Sequence, residues 1–452
     1  MPDLFPYQET GAAWLHKMPT AMLADEMGLG KTCQAITAAD TIRAKSILVL
    51  CPGIARENWS REIQSWSKYK RNVGIVENTK KGVPKTDIVV ASYSILGSRD
   101  VLIKLLEREW DLLVCDEAHF LKSRQAVRTK AVYGAKCDRS KGIASRAKRV
   151  FLLTGTPTPN NLSEFWTHAR ALFPNAVMGL ERFSSWEDKF CVMDQSGVRI
   201  LNSKNHAEFV QRVKPYVLRR RAADVLKDLP SLRTVQVVVR PESLPPQSQS
   251  EKDSEAIVRS AIAERIAKNG GELTEEDLHF INYKAGMHVA SIRKWTGISK
   301  AHSVAQLIKD DFAGGMNKVV IFACHREVFN ILLKELPGSA AIHGGTPMDE
   351  RDRLIDRFQG KVAGHDLKII IVHLDIASTA ITLTAAHNAV YAETAWTPSQ
   401  VQQATGRLHR IGQKMPVLAR IVSLADSIDE AIAGVLVRKS TSINKTMKAL
   451  EV

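Results

Sequence analysis

The segment DEMGLGKT (residues 25–32) combines glycines, a lysine and a threonine at the spacing of a phosphate-binding loop. Gly28 and Gly30 allow the backbone to approach phosphate oxygens, and the helix expected to follow turns its positive N-terminal end toward them. We expect Lys31 to reach the β and γ phosphates of ATP and the Thr32 hydroxyl to bind Mg²⁺. The alternative is a glycine-rich turn before a helix, with no ligand.

One position departs from the generic loop pattern, which has a glycine five residues before the glycine of GKT. In this chain that position is Asp25, so a strict pattern search would miss the loop. Met27 and Leu29, which alternate with the two glycines, complete the set of residues expected around the nucleotide.

A pair of acids, Asp116 and Glu117, ends the apolar run DLLVCDE (residues 111–117). An acid at the end of a strand can bind Mg²⁺ while its neighbour orients the water that attacks the γ-phosphate. Such a pair is often only a structural cap. Downstream of a GKT loop, in a basic chain, it indicates an ATP hydrolase.

Two arginines, Arg407 and Arg410, lie three residues apart in QQATGRLHRIGQ (residues 402–413), far from the loop in sequence. On a helix they would face the same side. That arrangement suits arginine fingers, which neutralise charge on a transferring phosphoryl group. The alternative is a solvated basic helix face. With the loop in one lobe and the fingers in another, we expect ATP cleavage to require closure of the two lobes.

The composition bounds the class of protein. With 452 residues the chain suits two or three domains, and its net charge of +15 favours a polyanionic partner, most commonly nucleic acid. A basic surface kept for solubility is the alternative. The six cysteines of the chain lack the close spacing of zinc ligands and are expected to be structural thiols. No apolar run reaches the roughly 18 residues that would span a bilayer.

Short Val-, Ile- and Leu-rich runs predict strands buried on both faces of parallel sheets, with helices between them. The runs are 46–50, 87–92, 111–117 and 150–156, then 319–324, 369–374, 388–393 and 419–424. They predict an α/β fold with two doubly wound lobes at residues 1–231 and 301–452. The proline-bearing and helical stretch between them predicts a helical insertion and hinge at 232–300.

These motifs together resemble the Swi/Snf-type ATPases of the second helicase superfamily over nearly the full chain. The segments that carry the resemblance are FPYQETGAAWL, DEMGLGKT, NWSREIQSW, DEAH, LTGTP, YVLRRRAADVLKDLP, RKWTGISK, AIHGGTP and WTPSQVQQATGRLHRIGQ. The resemblance implies two RecA-like lobes and an ATP-dependent translocase on double-stranded DNA. An RNA-directed ATPase of the same superfamily is one alternative, and a scaffold subunit of a DNA-processing complex is another.

The resemblance also implies roles for individual residues. Gln8 would read the adenine edge, with Tyr7 or Phe5 packing near the base. Gln403 would complete the catalytic site from the second lobe. Residues 154–156 would couple the nucleotide state to the DNA-binding face.

For DNA, the resemblance implies that Ser92, Tyr93 and the loop after Pro52 lie near the duplex backbone. Gripping of phosphates would make binding salt-dependent and largely independent of base sequence. We expect a monomer that takes a protein partner for recruitment. One loop departs from the family pattern, because Ala377, Ser378 and Ala380 stand where glycines are usual.

The segments RKWTGISK and HGGTP are most similar to the annealing-helicase branch, which rewinds strands and remodels forks. The motor motifs begin near residue 4 and fill the chain. We therefore expect a minimal motor of bacterial or phage type, cytoplasmic there and nuclear in a eukaryote.

Overall fold

A computed structural model of the protein describes residues 3–159, 161–193, 200–268, 273, 275–362, 366–377, 381–393, 395 and 398–440. The chain forms two compact units. Unit 1 extends to Lys227, and unit 2 begins at Asp228.

Unit 1 is built on a seven-stranded parallel sheet in the order β3-β4-β2-β5-β6-β1-β9, with a separate antiparallel hairpin, β7–β8. Its strands are β1 Thr20–Leu23, β2 Ile47–Cys51, β3 Val73–Ile75, β4 Ile88–Ser92, β5 Trp110–Asp116, β6 Ala147–Leu153, β7 Cys191–Met193, β8 Ile200–Ser203 and β9 Val217–Leu218. Its helices are α1 Pro6–Lys17, α2 Lys31–Ile42, α3 Arg56–Trp66, α4 Arg99–Glu107, α5 Val127–Tyr133, α6 Trp166–Leu172, α7 Phe183–Phe190, α8 His206–Val213 and α9 Ala222–Val225.

The central strands of this sheet are apolar along their whole length because both faces are covered. Every residue of β1, β2 and β4 is buried. Two parallel strands must be joined by a crossover connection. In unit 1 the connections that follow β1, β2 and β4 contain helices, which cover the sheet. The prediction that the continuous Val, Ile and Leu runs form strands covered on both faces is therefore confirmed for these strands.

Unit 2 is built on a six-stranded parallel sheet in the order β10-β15-β14-β11-β13-β12. Its strands are β10 Leu232–Val239, β11 Val319–Ala323, β12 Ala340–Ile342, β13 Ile369–His373, β14 Asn388–Tyr391 and β15 Val417–Leu424. Its helices are α10 Gln249–Lys268, α11 Glu275–Ala313, α12 Arg326–Glu335, α13 Met348–Phe358, α14 Leu374–Ala377, α15 Pro398–Thr405 and α16 Ile428–Ser440.

The predicted α/β fold with two parallel-sheet lobes is confirmed, and all eight strands predicted from apolar runs are present. Two features differ from expectation. Residues 232–239, expected in the helical insertion, form β10 and pair with β15 over eight positions, because LRTVQVVV is rich in β-branched residues. The boundary expected at 300/301 falls inside α11, which runs to residue 313 with a kink at Ala285.

Candidate nucleotide-binding site

The candidate residues of unit 1 gather at one edge of its sheet. Strands β5, β6, β1 and β9 are consecutive neighbours and all parallel. Parallel strands bring their carboxyl ends to the same edge, which is where open α/β sheets bind ligands. The chain continues from these ends into Ala24, Glu117, Thr154 and Arg219, so the loop, the acid pair and two further segments are adjacent.

The phosphate-binding loop joins β1 to α2 and takes its shape from two glycines. Gly28 and Gly30 have φ angles of +84° and +71°, a backbone region that favours glycine. Lys31, the first residue of α2, folds its side chain back over the loop. Its Nζ donates to the carbonyls of Asp25 at 2.8 Å and Glu26 at 3.4 Å. The ammonium group thus lies at the loop backbone, where phosphates would bind.

The residues expected near adenine pack against the same loop. Gln8 is buried, and its Nε2 donates to the Leu29 carbonyl at 3.3 Å while its Oε1 accepts from the Phe5 N–H at 3.0 Å. The Tyr7 hydroxyl donates to the same Leu29 carbonyl at 3.2 Å. A Cβ at Gly30 would lie 2.5 Å from Gln8 Nε2, so glycine is needed there for this contact as well as for its φ.

Asp25, the departure from the generic loop, forms a buried ion pair with Arg220. Arg220 donates from Nε to Oδ1 at 3.0 Å and from Nη2 to Oδ2 at 2.5 Å. Gln34 bridges the two, donating to Asp25 at 3.2 Å and accepting from Arg220 at 2.7 Å. The backbone at Asp25 does not have positive φ, so no glycine is required at this position. An aspartate is therefore compatible with this position because Arg220 neutralises its charge.

The first acid of the pair, Asp116, is fixed by two aromatic residues. Trp59 Nε1 donates to its Oδ2 at 2.8 Å, and the Tyr93 hydroxyl donates to its backbone carbonyl at 2.8 Å. Burial and the neighbouring charge of Glu117 raise the pKa of Asp116 to about 6. The Trp59 hydrogen bond and the positive charge of Lys31 act in the opposite direction and lower this pKa.

The second acid connects to the segment after β6. Glu117 has a φ of +48°, and its Oε2 lies 3.2 Å from His119 Nδ1. The same nitrogen lies 3.2 Å from the Thr154 hydroxyl, which in turn accepts from the Thr156 N–H at 3.1 Å. Glu117, His119 and Thr154 thus form a continuous polar path from the acid pair to 154–156.

The candidate residues of unit 2 lie on and after α15. Gln403 is on the helix, half-buried. The prediction that Arg407 and Arg410 share a helix face is wrong, because α15 ends before both and they lie in turns. Arg410 Nη1 donates to the Thr382 hydroxyl at 3.1 Å, and the Arg407 carbonyl accepts from the Leu383 N–H at 2.9 Å.

Gln413, the last residue of HRIGQ, holds these turns together. Among the described residues, the partners of its buried side-chain amide are backbone groups. These are the carbonyls of Thr384, Ala386 and Leu408 at 3.2, 2.9 and 3.1 Å, and the N–H groups of Lys414 and Met415 at 2.9 and 3.0 Å. The segment's final glutamine therefore sets the shape of the loop that carries Arg407 and Arg410.

Three expectations about loops have different outcomes. Ser92 and Tyr93 are both buried, and the prediction that they lie near the duplex backbone stays a prediction. After Pro52, a short 3-10 turn leads into α3. Of the unusual loop after β13, Ala377 ends α14, while Ser378 and Ala380 lie outside the described residues.

Several functional contacts were missed by sequence reasoning because they join residues far apart in the chain. The residues concerned are Trp59, His119, Arg219, Arg220 and Gln413. The available signal was that each lies inside or beside a quoted motif, namely NWSREIQSW, DEAH, YVLRRR and HRIGQ.

Comparison with known families gives the class of protein. The model described as "SNF2-related domain" matches residues 7–280, and the one described as "Helicase conserved C-terminal domain" matches residues 299–412. The first match alone covers more than half of the chain, and the chain belongs to the SNF2-related family of helicase-type ATPases.

Curated relatives extend the likeness. The chain is 28% identical over 454 residues to the SWI/SNF-related matrix-associated actin-dependent regulator of chromatin subfamily A-like protein 1 homolog of Caenorhabditis elegans, covering 96% of this chain and 61% of that protein. It is 27% identical to the mouse DNA annealing helicase and endonuclease ZRANB3, covering 98% of this chain and 41% of that protein. The chain thus spans about two fifths to three fifths of the length of these relatives.

Among solved structures, the Sulfolobus solfataricus SWI2/SNF2 ATPase core in complex with dsDNA matches with a TM-score of 0.45 and 23% identity, covering 97% of this chain and 92% of that one. Within the described part of the chain, no helix is both long and apolar enough to cross a membrane.

Proposed function

We propose that this chain is an ATP-dependent translocase on double-stranded DNA, in which hydrolysis of ATP drives movement along the duplex. One observation carries the proposal for hydrolysis. Lys31 begins α2 after the loop that follows β1, Asp116 ends β5, and the carboxyl ends of these two parallel strands lie at the same edge of the sheet. A lysine for phosphate and an acid for the metal are the two parts that phosphoryl transfer needs together.

The residues of the loop fit a magnesium nucleotide. The positive φ angles of Gly28 and Gly30 open the backbone to a close anion, and α2 begins directly after them. Thr32 and Asp116 offer hard oxygen donors, and Mg²⁺ typically takes one or two protein ligands, with phosphate and water completing its octahedron. Bound Mg²⁺ would neutralise charge on the phosphates. The chain's part is to present the Asp116 carboxylate in one orientation, held by Trp59.

Glu117 is proposed to orient the attacking water, and His119 lies between its carboxylate and the Thr154 hydroxyl, 3.2 Å from each. Gln403, Arg407 and Arg410 of unit 2 are proposed to take part in the same hydrolysis, on the basis of the family motif. Thr154 is the first residue after β6, in LTGTP (residues 153–157), so a change at Glu117 on hydrolysis would reach 154–156 by way of His119.

The proposal for DNA rests on charge and family. A net charge of +15 favours a polyanion, and the chain carries the LRRRAADVLKDLP and HRIGQ segments on which its resemblance to the Swi/Snf-type ATPases rests. Among the relatives, ZRANB3 is named as a DNA annealing helicase. We infer strand annealing or fork remodelling as the outcome of translocation. We also infer a monomeric motor recruited by a protein partner.

ATP turnover by the full chain, measured with duplex DNA, single-stranded DNA, forked DNA and duplex RNA, tests this function. Duplex or forked DNA should stimulate turnover most, and the stimulation should fall steeply between 50 and 200 mM salt, as expected of about six or more phosphate contacts. Glu117→Gln should abolish turnover and keep nucleotide binding. Strongest stimulation by duplex RNA would contradict the DNA assignment, and unchanged turnover in Glu117→Gln would contradict the site.

A further inference from the structure

The segment that follows β9 runs alongside the phosphate-binding loop. Strand β9 pairs in parallel with β1, and the pairing continues beyond both strands. The Ala24 N–H donates to the Leu218 carbonyl at 2.7 Å, and the Glu26 N–H donates to the Arg220 carbonyl at 2.9 Å. The Ala222 N–H donates to the Glu26 carboxylate at 2.7 Å. Residues 218–222 are thus bonded to loop residues 24–26 by three successive hydrogen bonds.

Two buried arginines reinforce this pairing from opposite sides. Arg219 and Arg220 each expose only 6% of their surface. Arg219 Nη1 donates to the carbonyls of Ala24 at 3.0 Å and Gly155 at 3.1 Å, which joins the loop to the turn after β6. Arg220 bonds to the Asp25 carboxylate and the Tyr7 carbonyl, which joins the loop to α1.

These contacts determine what kind of role the arginines can have. The contacts described join the two guanidinium groups to other parts of unit 1, namely backbone carbonyls, Asp25 and Gln34. Their partners include Ala24, just before the phosphate loop, and Asp25, its first residue. The two arginines therefore help to set the position of the loop. Burying such charges costs free energy, and these hydrogen bonds offset that cost only while both partners remain.

We propose that Arg219 and Arg220 are positioning residues that fasten the phosphate-binding loop to the segment by which the chain leaves unit 1 for unit 2. Nucleotide binding at the loop then tightens residues 218–222 through the same hydrogen bonds. The inference rests on the proposed nucleotide site. It adds a route, through these hydrogen bonds and then along the chain, by which the state of that site reaches the residues that lead into unit 2 at Asp228.

Hydrogen exchange of the full chain, with and without ADP and Mg²⁺, tests this coupling and separates it from the function itself. Peptides covering residues 25–34 and 218–226 should both exchange several-fold more slowly with ADP. Protection at 25–34 without protection at 218–226 would overturn the coupling and leave the nucleotide site standing. Protection at neither would overturn the nucleotide site.

Variants decide whether Arg220 positions the loop or only stabilises the fold. Arg71 is a matched control in unit 1, because its side chain is only 9% exposed and pairs with Asp40 at 2.7 Å. It also lies over a tyrosine ring, 5.0 Å from Tyr69, as Arg220 lies 5.2 Å from Tyr7. Arg220→Gln should weaken ADP binding about tenfold and remove the protection at 218–226. Arg71→Gln should lower the unfolding temperature comparably and change ADP affinity less than about twofold. Equal effects of the two variants on ADP binding would overturn the proposal.

Two milder variants keep the test decisive if Arg220→Gln does not fold. Arg220→Lys keeps the charge and loses the two-pronged contact to Asp25. Glu26→Gln keeps the side-chain shape and weakens the charge-assisted bond from Ala222. Both should reduce the ADP-induced protection at 218–226 relative to that at 25–34. An unchanged ratio in both variants would contradict the proposed coupling.

Discussion

Trp59 donates its indole N–H to the carboxylate of Asp116 at 2.8 Å, from a helix that follows a neighbouring strand. Trp59 is almost completely buried, so its orientation is fixed by packing. The Asp116 carboxylate therefore has one preferred orientation, set by α3. The sequence segment NWSREIQSW thus contributes a residue to the candidate site although it contains no acid, base or nucleophile at that position.

Trp59→Phe should lower ATP turnover about tenfold, since it removes one hydrogen bond to a charged group while keeping most of the aromatic packing. The apparent Mg²⁺ concentration for half-maximal turnover should rise. Steady-state ATPase assays across a Mg²⁺ series measure both effects.

Trp110→Phe is the control for that change. Trp110 is also fully buried, and its indole donates to the Leu105 carbonyl at 3.1 Å, at the opposite end of β5 from Asp116. It should lose comparable stability and keep the Mg²⁺ dependence of the native protein. The same shift in both variants would show that Trp59 acts only through stability.

Asp116→Asn should stabilise the metal-free protein at neutral pH. The folded-state pKa of Asp116 is raised to about 6 by burial and by Glu117, so the folded state binds a proton that the unfolded state releases near pH 4. Stability from this group is therefore lost as pH rises from about 4 to about 6. The difference between pKa values of about 4 and about 6 corresponds to about 3 kcal/mol of folding free energy gained by Asp116→Asn at neutral pH. The loss of one hydrogen bond would offset about 1 kcal/mol of that gain.

Denaturant unfolding without divalent cations, at pH 4.5 and pH 7.5, measures this effect. The advantage of Asp116→Asn over the native chain should be larger at pH 7.5. Asp111→Asn, on the same strand, should behave oppositely. Desolvation of Asp111 is outweighed by hydrogen bonds from Lys148, Lys45 and Ser46, which lower its pKa. A destabilised Asp116→Asn at pH 7.5 would mean that the buried carboxylate is fully compensated.

Asp25→Gly restores the generic loop pattern, yet it should destabilise unit 1 by about 3 to 5 kcal/mol. The reason is that Arg220 would remain buried without its carboxylate partner. Thermal unfolding, followed by the fluorescence of tryptophans in unit 1, measures the loss of stability. A variant as stable as the native chain would contradict the importance of the Asp25–Arg220 pair.

Arg407→Ala and Arg410→Ala should each reduce DNA-stimulated turnover by about 10³-fold or more while leaving ATP binding largely intact. Lys31 and the loop amides are expected to make most of the ground-state contacts. Titration with a fluorescent nucleotide and parallel turnover assays separate the two effects. Loss of binding with turnover retained at saturation would contradict the finger assignment.

The strands and the phosphate loop were predictable because their signals are local. Buried strands such as β2 and β13 appear as uninterrupted apolar runs, and Gly30 and Lys31 belong to a contiguous motif. The misassigned segments had competing signals. Residues 232–239 are followed closely by a proline-rich stretch, which favours placing both in the insertion. The turns at Arg407 and Arg410 depend on Gln413, whose bonds to distant carbonyls have no sequence period.

The contacts that hold the candidate site were not predictable because they are long-range. The Asp25–Arg220 pair joins positions 195 residues apart, and the Trp59–Asp116 bond joins positions 57 residues apart. Only the sheet order, which places β9 beside β1 and β2 beside β5, brings these residues together. A single sequence gives the residue types, and the fold decides which of them meet.

The most direct measurement of the central claim is ATP-dependent displacement of a third DNA strand from a duplex that carries it several turns from an open end. The full chain should displace the strand only with hydrolysable ATP and Mg²⁺, and Glu117→Gln should displace none. ATP turnover stimulated by the same duplex without any displacement would contradict translocation and leave only a DNA-dependent ATPase.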